Sequence, residues 1–299
     1  MTEATYYSDF GGMPAQSDLM SQRAILTDAY AVIPRGALRD IVTTPLPGWR
    51  STRSWTIARP LSGLAETFAQ LIMEVQPGGG SDAPESDALA ECVLFVTRGA
   101  LRLVVSQIST KASPGFTANH KSDFSPIDET MSPGGYAYIP AGAAWAVETV
   151  GDEPAVFHWI RKAYEPVKDV EPPLPFLSSD QSQPIEWMPE PNGRWGTTRF
   201  VDAGDIAHDM HVNIVTFEPG ASIPFEETHV MEHGLFVLEG KGAYKLNQDW
   251  VEVQEGDFMW LRAFCPQACY AGGPGRFRYL LYKDVNRLPR LGRPGVFLR

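Results

Sequence analysis

The chain contains an internal repeat, in which one block of sequence rich in strand-forming residues occurs twice. Residues 91–99 read ECVLFVTRG, and residues 232–240 read EHGLFVLEG. A second pair of matching segments follows in the same order, GGYAYIP at 134–140 and GDFMWLR at 256–262. Duplicated blocks of this kind fold as copies of one structural unit. The sequence therefore predicts two similar domains in tandem.

The apolar segments of the chain are short and rich in residues that favour strands. Typical examples are CVLFV, LRLVV, VNIVTF and YLLY, each bounded by Gly, Pro or polar residues. The chain has 27 Gly and 25 Pro, spread throughout, and few helix signals. Short apolar segments separated by turn residues predict an all-β sandwich or barrel.

The boundary between the two copies is expected near residue 180. A proline-rich connector, KAYEPVKDVEPPLPFLSSDQSQPIEWMPEPNGRW, joins them, and its proline density excludes a continuous helix or a central strand. We therefore assign residues 1–180 to an N-terminal domain that includes the tail, and residues 181–299 to a C-terminal domain. In the first copy, the polar stretch 109–132 is expected to form an exposed loop.

Charge and cysteine content restrict the partners and the compartment. The net charge is −11 and no Lys/Arg-rich run is present, so we expect neither nucleic acid nor an anionic membrane surface as a partner. No apolar stretch reaches the ~18 residues of a membrane span, and residues 1–18 show neither the basic nor the apolar region of a secretory signal, so we expect neither a membrane span nor secretion. Three cysteines cannot form a disulfide framework, and we expect buried free thiols and a cytoplasmic protein.

The second copy carries a polar cluster that the first copy lacks. Glu227, His229 and His233 are separated by even numbers of residues, so on an extended strand all three point to one face. A carboxylate and two imidazoles on the inner face of a small barrel are costly to bury without a metal ion. The matching positions of the first copy hold Ser86, Ala88 and Cys92. The fold alone therefore does not require the cluster.

The same residues allow two other interpretations of the cluster. The spacing of His229 and His233 also occurs in helical zinc proteases, but there a Glu follows the first His directly, whereas Val230 stands here. The stretch LFVLEGKG then continues as strand and turn. The remaining alternative is a pair of core histidines with satisfied hydrogen bonds beside a surface Glu.

A second motif links the chain to a known fold. Gly134-x5-Pro140-x-Gly142-x2-Trp145 matches the cupin motif Gly-x5-Pro-x-Gly-x2-His, except that Trp replaces the metal-binding His. In the second copy, the same register places Gln267 at that position. The chain thus resembles a bicupin, two tandem small β-barrels of the double-stranded β-helix or jelly-roll type. The resemblance implies a metal site in the C-terminal barrel only, with Glu227, His229, His233 and Gln267 as ligands.

This ligand set and the residues around it resemble the (S)-ureidoglycine aminohydrolases, from about residue 23 to residue 287. The resemblance implies that the four ligands hold Mn²⁺ and that Tyr244, Tyr279 and Lys283 contact a small-molecule substrate. The implied reaction is the metal-dependent hydrolysis of (S)-ureidoglycine to (S)-ureidoglycolate and ammonia, in allantoin and purine catabolism. Within it, Lys283 supplies a charge for the substrate carboxylate. Glu227 also contacts the substrate and is the candidate proton shuttle, as the only carboxylate of the cluster.

Two alternative functions stay open from the sequence. One is a cupin dioxygenase acting on a small organic acid, which needs a redox-active ion and usually three His ligands. The other is a non-catalytic bicupin that binds a small molecule. Cupins commonly assemble through sheet faces and exchanged strands, so we expect a homo-oligomer.

Overall fold

The computed structural model describes residues 24–37, 43–60, 67–109, 124–189 and 194–284. Within these ranges the regular structure is all β, apart from one short 3₁₀ turn at Arg35–Ala37. The all-β prediction is therefore confirmed. The strands are β1 (Ile25–Leu26), β2 (Tyr30–Ile33), β3 (Arg50–Ala58), β4 (Phe68–Ser81), β5 (Ala90–Arg98), β6 (Ala100–Ile108), β7 (Ile127–Met131), β8 (Gly135–Ile139), β9 (Ala143–Val150), β10 (Ala155–Ala163), β11 (Phe176–Ser179), β12 (Ile185–Trp187), β13 (Trp195–Thr198), β14 (Met210–Phe217), β15 (His233–Glu239), β16 (Lys241–Leu246), β17 (Asp249–Gln254), β18 (Phe258–Leu261), β19 (Gln267–Tyr270) and β20 (Phe277–Asp284).

The strands form two curled units that we call the first and second barrels. In the first barrel, nine strands form one sheet in the order β11-β8-β5-β10-β4-β9-β6-β7, with β3 paired to β4. In the second barrel, an eight-stranded sheet of order β1-β2-β18-β15-β20-β14-β13-β12 is complemented by a three-stranded sheet, β17-β16-β19. Each barrel encloses its own cluster of buried apolar side chains.

A third apolar cluster joins the two barrels. Along β14, Val215 and Phe217 belong to the core of the second barrel, whereas Val212 and Ile214 pack with residues of the first barrel. Neighbouring residues on a strand point to opposite faces. One face of β14 therefore lines the interior of the second barrel, and the other face packs against its neighbour.

Two strands from the N-terminal region complete the second barrel. Strand β2 pairs with β18 and β1 pairs with β2, so residues 25–33 join the C-terminal unit although they precede the first barrel. At the other end, β11 pairs within the first barrel and β12 within the second, so the chain passes between them after Ser179. The division into residues 1–180 and 181–299 remains a prediction. The pairing of β1 and β2 with the second barrel departs from it.

The polar stretch 109–132 is not entirely a loop. Residues 127–131 form β7, which pairs with β6 from Leu101 to Val105. Most of the remainder, 110–123, lies outside the described residues, as do residues 1–23 of the N-terminal tail and the last residues of the family resemblance, 285–287. Within the described ranges, no helix has the length and apolar character needed to cross a membrane.

Candidate metal and substrate site

Glu227 and Gln267 are brought together by their backbones. The Glu227 amide donates to the Gln267 carbonyl at 3.0 Å, and the Gln267 amide donates to the Glu227 carbonyl at 2.9 Å. This is an isolated antiparallel bridge at the start of β19. Residues that are directly paired across antiparallel strands project side chains from the same face. The structure therefore places this carboxylate and this amide side by side at one end of the second barrel, which we call its mouth.

The two histidines lie against each other beside Gln267. The His229 and His233 rings are 4.4 Å apart between centroids, and His229 Nε2 is 3.0 Å from Gln267 Nε2. His233 Nδ1 lies 3.1 Å from the Met231 carbonyl. A carbonyl can only accept, so Nδ1 carries the proton and His233 Nε2 keeps its lone pair. This arrangement is typical of metal-binding histidines.

One geometric premise of the sequence analysis is wrong. Glu227, His229 and His233 do not lie along one extended strand, because β15 begins only at His233 and residues 228–232 are irregular. The loop is instead held to the segment before β19. There Phe264 donates its amide to the His229 carbonyl at 2.7 Å, and Thr228 Oγ1 donates to the Phe264 carbonyl at 2.9 Å.

The three residues expected to contact substrate surround these groups. The Tyr244 hydroxyl, on β16, donates to Gln267 Oε1 at 3.0 Å and lies 3.5 Å from the Tyr279 hydroxyl. Both tyrosines are buried. Lys283 stands directly opposite His233 in the β15–β20 pairing, so its side chain shares the inner face with the histidine. All seven predicted residues thus lie in or beside the second barrel, and these contacts and pairings link them into one group.

Burial controls the charge of these groups. It lowers the pKa of His233 to about 3, with His229 as the second cause, and it also lowers the pKa of His229. Both imidazoles are therefore neutral near pH 7 and have lone pairs to donate. Burial raises the pKa of Glu227 while Lys283 opposes that change. It lowers the pKa of Lys283, with Arg199 as the next cause.

The types of donor atom in this group fit a divalent metal ion, although the Glu227 carboxylate is not close to both imidazoles. Among the described residues, no group of three His, Cys, Asp or Glu side chains is close enough to hold a metal ion. The side chains that converge are His229, His233 and the amide of Gln267. Rotation of the Gln267 amide about its terminal bond turns Oε1 toward His229 Nε2 and leaves the amide nitrogen to donate to the Tyr244 hydroxyl. Imidazole, amide and carboxylate donors without a thiolate suit Mn²⁺ or Fe²⁺.

Glu232 serves a different purpose from Glu227. Its carboxylate accepts hydrogen bonds from the Thr67 amide at 2.8 Å and from Trp260 Nε1 at 3.0 Å. Thr67 immediately precedes β4 of the first barrel, so this carboxylate links the two barrels. Glu232 therefore points away from the site.

In the first barrel, a different set of residues occupies the place that corresponds to the candidate metal site. Arg161 stands opposite Cys92 there, as Lys283 stands opposite His233 in the second barrel. Arg161 Nε donates to Glu85 Oε2 at 2.6 Å, and the guanidinium lies 4.8 Å from the Trp159 ring centroid. The repeat alignment does not predict this ion pair, because Glu85 lies one residue before Ser86, which matches Glu227.

Comparison with known proteins places the chain among the cupins. The cupin domain model matches residues 213–282. The (S)-ureidoglycine aminohydrolase of Arabidopsis thaliana is 31% identical over 248 residues, which are 83% of this chain and 74% of that relative. A solved structure from Pseudomonas aeruginosa, described as a glyoxylate-induced protein, is 56% identical with a TM-score of 0.82. The match covers 97% of this chain and 100% of that one.

A more distant structure supports the fold alone. Oxalate decarboxylase of Bacillus subtilis is 12% identical, with a TM-score of 0.62 over 90% of this chain and 81% of that chain. The similarity extends across both barrels. The bicupin prediction is therefore confirmed.

Proposed function

Because the chain belongs to the (S)-ureidoglycine aminohydrolase family and is an enzyme of that family, we propose that its second barrel hydrolyses (S)-ureidoglycine to (S)-ureidoglycolate and ammonia in a metal-dependent reaction. The observation that carries this proposal is the grouping of His229, His233 and Gln267 with Tyr244 and Tyr279. Fold alone does not determine function among cupins, so the proposal depends on these side chains.

Mn²⁺ is the ion we propose for the site. Glu227, His229, His233 and Gln267 would hold it, and four protein ligands leave room for substrate on an octahedral ion. A divalent ion there supplies Lewis-acid polarisation and fixes the orientation of the substrate. The neutral imidazoles and the lone pair that His233 Nε2 keeps support the binding of a divalent ion here.

The side chains around the metal ligands have different roles in substrate binding. Lys283 provides a cation for the substrate carboxylate, and Glu227 lies within its electrostatic influence. Burial raises the pKa values of Tyr244 and Tyr279 well above the ordinary range. Both hydroxyls therefore stay protonated and act as neutral hydrogen-bond donors. They hold the substrate without adding charge.

Glu227 is the residue we assign to proton transfer. In the reaction, the bond from carbon to the amine nitrogen breaks, a bond to a water oxygen forms, and one proton moves from water to the leaving amine. Burial raises the pKa of Glu227, which brings the carboxyl group closer to the range where it can both accept and return a proton. Its partial burial at the mouth keeps it accessible to substrate.

The alternatives are less well supported. A dioxygenase of the usual three-His type would have His where Gln267 stands. A binding protein without activity would have no need for the complete set of ligands and substrate residues. Oxygen consumption with Fe²⁺ would favour the first alternative, and a tight complex without turnover would favour the second.

The physiological setting is also a proposal. The solved relative is described as glyoxylate-induced, and ureidoglycolate is a derivative of glyoxylate, which suits a step of allantoin and purine catabolism. Cys92, Cys265 and Cys269 are buried and unpaired, which is compatible with the cytoplasmic location that we propose. Assembly as a homo-oligomer remains a prediction.

The test is ammonia release from freshly prepared (S)-ureidoglycine. Protein is stripped with chelator, then assayed without metal and with Mn²⁺, Fe²⁺ or Zn²⁺, and the product is followed by chiral NMR. We expect Mn²⁺-dependent release above the spontaneous decay, with (S)-ureidoglycolate as the sole enantiomer. Metal binding without acceleration would refute the proposed reaction. Undiminished activity after complete metal removal would refute the metal dependence.

The same assay applied to Glu227→Gln tests the proton role. The amide keeps an oxygen for the metal ion but cannot carry the proton. We expect Mn²⁺ to remain bound while turnover falls by about a hundredfold, which is typical for loss of a general acid–base group. Full turnover with metal bound would show that Glu227 only binds.

A further inference from the structure

Strand β14 carries two buried polar side chains whose function is unexplained. His211 is 5% exposed and Asn213 is 2% exposed. Within the described part of the chain, His211 Nε2 and Asn213 Oδ1 are buried and make no hydrogen bond. Burying a polar atom without a hydrogen-bond partner destabilises a protein. Two such atoms on one strand call for a specific explanation.

Both side chains face the interior of the second barrel. They alternate with Val212 and Ile214, which pack between the barrels, and they share the face of Val215 and Phe217, which belong to the inner core. Successive residues on a strand point to opposite sides. His211 and Asn213 therefore line the same interior as the candidate site.

The first barrel shows that the fold does not need these polar groups. Ala69 pairs with Arg161 in that barrel, as His211 pairs with Lys283 in the second. By the same register, Leu71 occupies the place of Asn213. The same scaffold is thus built with Ala and Leu at these positions, so the two polar residues belong to what only the second barrel does.

Their position relates them directly to the substrate residues. His211 is opposite Lys283, which is itself opposite His233, so the three side chains form one row across β14, β20 and β15. Asn213 is opposite Leu281 and lies between the levels of Lys283 and Tyr279. Strand β14 is two strand spacings from β15, or about 10 Å. A small molecule held beside His233 can therefore extend toward β14.

We propose that Asn213 and His211 bind the ureido group of the substrate, on the β14 side of the site, away from the metal ligands. This inference rests on the proposed function. A carboxamide is complementary to a ureido group, because Asn213 Oδ1 can accept a ureido N–H while its amide nitrogen donates to the ureido carbonyl. The substrate's N–H groups thereby satisfy the atoms that the protein leaves without partners.

The state of His211 suits the same role. Burial, followed by the influence of Lys283, lowers the pKa of this imidazole to about 4. The ring is therefore uncharged near pH 7 and presents one donor and one acceptor nitrogen. A neutral ring is suited to a neutral ureido group, while Lys283 in the same row remains the cation for the carboxylate.

The test compares two ligands that differ only in the ureido group. Isothermal titration calorimetry with the Mn²⁺-loaded protein measures the Kd of (S)-ureidoglycolate and of glycolate. We expect the wild type to prefer ureidoglycolate, and Asn213→Leu, which installs the residue of the first barrel, to reduce that preference by about tenfold. His211→Ala, likewise the residue of the first barrel, should act in the same direction. The Kd of glycolate should stay within about twofold of wild type.

Thr198→Val is the matched control. Thr198 Oγ1 is also buried without a partner in the described part of the chain, but Thr198 pairs with Ile214 on β14 and so shares the face between the barrels. We expect this variant to keep the full ureido preference. Asn213→Ser replaces Asn213→Leu if the latter fails to fold, as judged by thermal melting, and should show the same loss.

The outcomes separate the two proposals. If wild-type protein hydrolyses ureidoglycine but neither the Asn213 variant nor the His211 variant loses the ureido preference, the role of these two residues is refuted and the proposed function stands. If wild-type protein neither prefers ureidoglycolate nor accelerates ammonia release, the proposed function fails, and the binding role of Asn213 and His211 fails with it.

Discussion

The two barrels share one scaffold and differ at the mouth. In the first barrel, the cation of Arg161 is neutralised by Glu85 and covered by Trp159. In the second, the corresponding cation is Lys283, which lies beside neutral imidazoles and within the influence of Glu227. A cation that is already paired has little charge left for a ligand, whereas a partly buried lysine such as Lys283, which makes no ion pair among the described residues, can bind an anion.

Other polar residues are common to both copies. The Tyr138 hydroxyl donates to Glu91 at 2.7 Å in the first barrel, and Trp260 Nε1 donates to Glu232 at 3.0 Å in the second. Glu91 and Glu232 occupy the same position of the repeat, and their partners also correspond. Polar residues present in both copies thus support the shared architecture, whereas those present in one copy only mark the function of that copy.

Replacing a ligand with its counterpart from the first barrel should have the largest effect. His229→Ala installs the residue found at Ala88. We expect bound Mn²⁺ to fall from about one ion per chain to almost none, and turnover to fall by more than about a hundredfold. Metal analysis and ammonia release measure the two effects. Cys92→Ala in the first barrel is the control, and it should change neither.

Two results would break this comparison between the barrels. Two metal ions per wild-type chain would show that the first barrel also binds metal. A full complement of Mn²⁺ in His229→Ala would show that this histidine is not a ligand.

Removing the ion pair of the first barrel should have a smaller effect, and on stability only. The Glu85 side chain is 8% exposed and that of Arg161 is 25% exposed. Arg161→Ala leaves the carboxylate buried and unpaired, which we expect to cost about 2 kcal/mol in the free energy of unfolding after allowance for the partial exposure. Urea unfolding measures the loss, and ammonia release per folded molecule should be unchanged.

A double replacement sharpens this test. Arg161→Leu combined with Glu85→Leu removes both charges, and its free energy of unfolding should return to within about 1 kcal/mol of wild type. If the single variant is as stable as wild type, the ion pair does not support the first barrel. If its activity falls, the first barrel contributes to the reaction.

Much of this arrangement could be predicted from the sequence, because the two copies of the repeat can be compared with each other. The strand class and the two tandem copies follow from residue types, spacing and the repeat, whereas the bicupin architecture was predicted from the resemblance to the cupin motif. The pairing of β2 with β18 could not be predicted, because strands that pair across more than two hundred residues leave no local sequence pattern. His211 and Asn213 were missed because the sequence VNIVTF was examined as an apolar strand. Comparing HVNIVTF position by position with AQLIMEV shows both polar residues, His211 against Ala69 and Asn213 against Leu71.

The smallest expected effect concerns a polar pair that only the first barrel carries. His158 Nδ1 lies 3.0 Å from Gln70 Nε2 between the barrels, and the register of β4 and β10 places Leu280 and Val212 at the corresponding positions of the second barrel. Gln70→Val with His158→Leu therefore converts this pair into its apolar counterpart. At pH 7 we expect stability within about 1 kcal/mol of wild type, because both polar partners leave together.

The pH dependence of the free energy of unfolding distinguishes the wild type from this double variant. Burial lowers the pKa of His158 to about 3 in the folded state, against an unfolded value of about 6.5. The imidazole therefore stabilises the fold fully above pH 6.5, and that contribution is lost as the pH falls toward 3, because only the unfolded state binds the proton. Between pH 7 and pH 5, wild type should lose about 2 kcal/mol more than the double variant. Urea titrations at each pH measure the difference. Parallel losses would mean that His158 is already protonated in the folded protein, and that the apolar interface between the barrels accepts a charge.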